Sequence, residues 1–90
     1  MAADQKSLEK QLLDEGFPRT YVWQDSPNAL YSDHTHAVET AHISLDGEMM
    51  ITQGGATRTY AIGERCDVPA GAGHSAKMGP RGCKYLIGEK

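Results

Sequence analysis

The spacing of apolar residues changes once along the chain, just after Gly16. Over residues 4–15, Leu8, Leu12 and Leu13 fall at i, i+4 and i+5. They form a narrow apolar stripe on a charged segment, the pattern of one short amphipathic helix. Asp4 is placed to cap its start and Gly16 to end it. Phe17-Pro18 then blocks continuation, because a residue before proline is pushed to extended backbone.

From Arg19 onward, short extended runs alternate with turn residues. Residues 20–24 (Thr-Tyr-Val-Trp-Gln) are rich in β-formers, and Asp25-Ser26-Pro27-Asn28 reads as a turn. Residues 34–45 are long enough for one bent strand or two short ones, and Asp46-Gly47 carries a tight-turn signal. Residues 48–53 and 57–61 flank Gly54-Gly55 as a hairpin, and residues 66–68 and 84–87 are further short strands. Several short strands at close, even spacing predict an all-β barrel or sandwich after one short N-terminal α-helix. No repeat, low-complexity segment or linker interrupts the pattern. Residues 1–90 therefore read as a single domain, with the helix at 4–15 and the barrel at 19–88.

Ninety residues limit burial on folding, to roughly 60% of the unfolded surface at this size, and a sheet closed on itself is an economical solution. The apolar fraction of 39% and charged fraction of 23% are ordinary for a soluble domain. Nine basic and 12 acidic residues give a net charge of −3, and the cations are scattered. A nucleic-acid partner is therefore not expected, since phosphate binding needs a clustered basic face. No apolar run of about 18 residues predicts a membrane helix, and residues 1–10 lack the apolar stretch of a secretion signal. Cys66 and Cys83 are too few for a disulfide scaffold. They read as free thiols of a reducing compartment, so a cytoplasmic location is expected. Cys66 also falls where an apolar residue would pack.

Chemistry enters with His34 and His36. On a strand, residues i and i+2 face the same side, so both rings aim into one volume. His74 follows a set of turn residues. Gly63 lets the chain leave the 57–61 strand, and Cys66 and Val68 alternate inward. Pro69 ends their strand, Gly71 and Gly73 allow a sharp turn, and His74 begins the next strand. A second strand that delivers His74 to the same place gathers three neutral imidazoles. That is a facial ligand set for a divalent transition metal (Zn, Fe, Mn, Ni or Cu) with positions left open.

Gly63, five residues, Pro69-x-Gly71, two residues and His74 together resemble the second conserved motif of the cupin superfamily. His34-x-His36, followed by an apolar strand and Gly47, resembles the first. The Gly54-Gly55 hairpin is similar to the region between them, and the likeness spans residues 31–86. The resemblance implies a small jelly-roll β-barrel with a metal site inside. The ligands it implies are the first-motif histidines, a first-motif glutamate or its substitute, and the second-motif histidine. Counted back from Gly47, the glutamate position falls on Thr40. If the strand is regular, His34, His36, Thr40 and His42 share a face, and His42 is the preferred fourth ligand. A β-bulge after His36 brings Glu39 inward instead. The expected metal ligands are thus His34, His36, His42 and His74, with Glu39 as the alternative to His42.

So small a barrel takes a small molecule, and Tyr21, Trp23 and Tyr31 are candidates for its mouth. No nucleotide-binding glycine motif is present. Two functions follow as expectations. One is a metal-dependent enzyme acting on a small oxygenated organic molecule, of dioxygenase, isomerase or lyase type. The other is a non-catalytic module that binds a metal or small ligand. A homodimer is compatible with either, through addition of residues 19–24 to a partner's sheet edge.

Overall fold

A computed structural model describes residues 4–90; the first three residues of the single-domain reading lie outside it. Helix α1 (Gln5–Asp14) starts where Asp4 accepts the Lys6 N–H at 3.2 Å and the Ser7 hydroxyl at 2.7 Å. It ends at Gly16, whose φ of +99° is left-handed. The Gly16 N–H donates to Leu13 O and the Phe17 N–H to Leu12 O, at 3.1 and 2.9 Å. This paired closure brings Phe17 down against Leu12. Both are buried with Ala41, Ile43, Leu45 and Leu86, so α1 covers the outer face of the sheet. The helix is too short to cross a membrane.

Six antiparallel strands follow: β1 (Arg19–Asp25), β2 (Leu30–His34), β3 (Thr40–Gln53), β4 (Ala56–Tyr60), β5 (Arg65–Val68) and β6 (His74–Glu89). The spine is the long β3–β6 ribbon. One half of it is flanked by β1 on β6 and by β5 on β3; the other half is flanked by β2 on β6 and by β4 on β3. The ribbon folds over so that its inner faces share one core. Met49, Ile51 and Met78 from one half pack with Cys66, Val68, Tyr85 and Ile87 from the other. Both cysteines are free and buried.

Asp46-Gly47 does not reverse the chain as its sequence predicts. It forms a bulge inside β3, with register slips between Ser44 and Asp46 and between Gly47 and Met49. Gly47 has φ +77°, and a Cβ there would collide with the Gly82 carbonyl oxygen on β6. The bulge also flips the pleat. Thr40 and His42 line the cavity before it, and Met49 and Ile51 after it. On β6, His74, Ala76 and Met78 face inward first, then Tyr85 and Ile87. The 84–87 run is likewise not a separate strand but the end of the 16-residue β6. Gly79, Pro80 and Gly82 lie inside this strand without ending it. His34 ends β2, an edge strand not anticipated because its residues are mostly exposed, and β3 begins at Thr40. The 54–55 hairpin forms as expected, with both glycines at positive φ.

Candidate metal centre

His34 and His74 face each other across the β2–β6 ladder, with ring centroids 4.2 Å apart. His36 lies in the connection after β2, not on the strand, so strand alternation does not aim it. A hydrogen bond does: the Gly71 N–H donates to the His36 carbonyl at 2.9 Å. The Pro69–Gly71 turn therefore holds the His36 backbone and launches His74 into β6. The His36 ring lies 5.1 Å from His34 and 5.0 Å from His74. One ring nitrogen from each of the three falls within 4.8 Å of the others. Imidazoles held about 2.1 Å from a shared ion need such proximity.

The donor chemistry fits an ion. His34 Nδ1 lies 2.7 Å from the Ser32 carbonyl oxygen, which only accepts. Nδ1 therefore carries the proton and Nε2 offers its lone pair, the usual arrangement behind a metal-binding histidine. The Nδ1 atoms of His74 and His42 are buried without a partner in the protein. Burial, then the charges of His34 and His36, hold the His74 ring below the ordinary histidine range. Burial and His34 do the same for His36, against an opposing pull from Glu89. Neutral rings with free lone pairs are what metal binding requires.

His42 stands a layer deeper. Its ring is 6.2 Å from those of both His36 and His74 and 6.2 Å from Tyr85, outside the three-nitrogen group. Burial, followed by the charges of His74, His36 and His34, lowers its pKa to about 4. Glu39 turns the other way: its carboxylate lies 3.4 Å from Lys90 Nζ, and its carbonyl accepts the Lys90 N–H. The inward Glu39 does not occur, because the irregular 35–39 connection ends before the pleat of β3 begins. Thr40 faces the site, and its Oγ1 is buried without a partner.

The histidines open onto a cavity of about 310 Å³ whose wall includes Tyr21, Trp23 and Tyr31, the expected mouth residues. Tyr85 and Glu89 also line it. Neither was anticipated, although 85, 87 and 89 alternate along one strand. Glu89 is the cross-strand partner of the inward Thr40 and accepts from Tyr21 Oη at 3.1 Å. Asp25, read as a turn residue, instead closes β1 and accepts from three donors: Trp23 Nε1 at 3.1 Å, and the Tyr31 and Tyr85 hydroxyls at 2.7 Å each.

A small, mostly antiparallel β-barrel with clustered histidines at its lumen is the architecture of the cupins, and comparison with solved structures agrees. No protein-family model and no curated protein sequence matches the chain. The DMSP lyase DddQ from Ruegeria pomeroyi DSS-3 superposes with a TM-score of 0.73 at 24% identity, over 79% of this chain and 36% of that one. An RmlC-like cupin from Shewanella frigidimarina NCIMB 400 gives 0.71 at 18% identity, over 78% and 62%. KdgF from a Halomonas species gives 0.66 at 16% identity, over 79% and 67%. The chain has the cupin fold, and it spans only about a third of the lyase.

Proposed function

We propose that the protein is a metal-dependent enzyme acting on a small oxygenated organic molecule. The observation that carries this is the set of three histidine nitrogens within 4.8 Å, opening onto a cavity of small-molecule size. His34, His36 and His74 would hold the ion, and His42, 6.2 Å from the rings of His36 and His74, is the candidate for a fourth position. A bound divalent ion supplies a Lewis acid to a substrate oxygen. Glu89 is the one carboxylate lining the cavity, placed to take a proton from the substrate, and its bond to Tyr21 orients it. Proton removal beside a polarised oxygen favours lyase or isomerase chemistry over oxygenation, and a lyase is among the structural neighbours.

Protein purified without a histidine tag is expected to carry or take up one divalent transition ion per chain. His74→Ala is expected to weaken that uptake about a hundredfold, as loss of a principal ligand does. Failure of the intact protein to bind any of the five candidate metals overturns the reading. A second reading, binding without turnover, draws on Thr40 standing where the resemblance places a glutamate. Melting shifts with small oxygenated acids, with and without metal, separate the two. Shifts that need the metal, accompanied by substrate loss, support the enzyme; shifts without substrate loss support the module.

A further inference from the structure

Beside the histidines, the cavity wall is aromatic. Trp23 faces Tyr85 across the β1–β6 ladder, and Tyr21 lies on the same face of β1. Tyr31 approaches from β2, its ring 6.3 Å from that of His34. The polar tips of all four are already engaged. Asp25 takes the Trp23 N–H and the hydroxyls of Tyr31 and Tyr85, and Glu89 takes the hydroxyl of Tyr21. Two consequences follow. The rings are fixed before any ligand arrives, and their donors are spent, so a hydroxyl-rich or anionic ligand finds little to bond there. No lysine or arginine is among the lining residues. Arg19, outside the lining, pairs with Glu89 at 3.5 Å and sets its guanidinium 5.6 Å from the Tyr21 ring, so Glu89 already has a cationic partner and Asp25 is the carboxylate left to favour a bound cation.

Aromatic rings whose polar tips are held by the Asp25 carboxylate attract a cation that needs no hydrogen bonds. On the metal-dependent reading above, we propose that the ligand of this site carries a permethylated onium head, such as a quaternary ammonium. The head sits against Tyr21, Trp23, Tyr31 and Tyr85, and an oxygen function of the same molecule points toward the histidines. The half-exposed Trp23, an apolar residue at the mouth, is then part of the binding surface.

Trp23 is the single tryptophan, so its fluorescence reports this wall alone. Metal-free protein titrated with tetramethylammonium chloride is expected to give a saturable change that sodium chloride and the neutral isostere tert-butanol do not. Tyr31→Leu is expected to weaken it about fivefold, and Tyr31→Phe, which keeps the ring, to stay near the parent. Glycine betaine is expected to bind zinc-loaded protein about tenfold more tightly than 3,3-dimethylbutanoate, its uncharged-head analogue. An equal response to tert-butanol, or none to tetramethylammonium, overturns the proposal while leaving the metal reading intact. Loss of zinc binding with the tetramethylammonium response retained overturns the metal reading instead.

Discussion

Residues 40–45 of β3 put two different environments on one strand. Thr40, His42 and Ser44 face inward, and Ala41, Ile43 and Leu45 face the helix; all six are buried. The helix face is closed and apolar, with Leu12, Phe17 and Leu86 filling it. The cavity face is equally hidden from solvent, yet the Thr40 hydroxyl and His42 Nδ1 lack partners there. Burial alone therefore does not separate the two. What separates them is that one face satisfies every rule of packing and the other breaks the rule that buried polar groups are paired. Such violations concentrate where a ligand is to be held.

The strongest way to break this contrast is to damage the apolar face and look at the polar one. Phe17 is 1% exposed, touches Leu12, and carries Arg65 and Lys90 over its ring. Phe17→Ala is expected to lower the unfolding free energy by about 4 kcal/mol, and Phe17→Leu by about 1 kcal/mol. Urea unfolding measures both. Zinc affinity of the folded Phe17→Leu protein is expected to match the parent. A tenfold change would mean that the two faces are coupled and the division fails.

The helix, the 54–55 hairpin and the turn from Pro69 to His74 were legible because each depends on local backbone chemistry: a cap, a pair of left-handed glycines, a proline that ends a strand. The long β3 and β6 were not. Their central glycines act only in the folded sheet, where Gly47 clears the Gly82 carbonyl on β6 and Gly82 clears the Asp25 carbonyl on β1, and locally they look like turns. The convergence of His34, His36 and His74 was legible, but His36 arrives by a different route. A bond from Gly71 aims it, and no pattern within residues 34–36 encodes that bond. Glu89 was missed for the same reason, since its partner Tyr21 lies 68 residues away. Asp25 has two nearby partners, Trp23 and Tyr31, but reads locally as the start of a turn, and its third partner, Tyr85, lies 60 residues on.

Acid sharpens the contrast between the faces, because only one of them titrates. His42 stays neutral in the folded protein down to about pH 4, whereas the unfolded chain protonates it near the ordinary histidine value of 6.5. Between those values the unfolded state binds the additional proton. Stability of the metal-free protein is therefore complete above about pH 6.5 and falls as pH drops toward 4, by on the order of 3 kcal/mol from this group. His42→Gln is expected to flatten that fall without abolishing it, since His36 and His74 are lowered as well. Urea midpoints across this range measure the slope. An unchanged slope in the variant would show that His42 is already charged in the fold.

The smallest change tests the rule itself. Thr40 is 1% exposed and its hydroxyl has no partner in the protein. Valine keeps the shape and removes the unpaired group, so Thr40→Val should raise stability by up to about 1 kcal/mol. That corresponds to about 4 °C in melting temperature for a domain of this size. A hydroxyl is a poor ligand for these metals, so zinc affinity should hold. A rise in melting temperature with weaker ligand binding would place Thr40 among the groups that trade stability for function. A fall in melting temperature of the same size would show that the hydroxyl is satisfied after all. The inner face of β3 would then be packed as completely as the outer one, and the contrast drawn between them would rest on His42 alone.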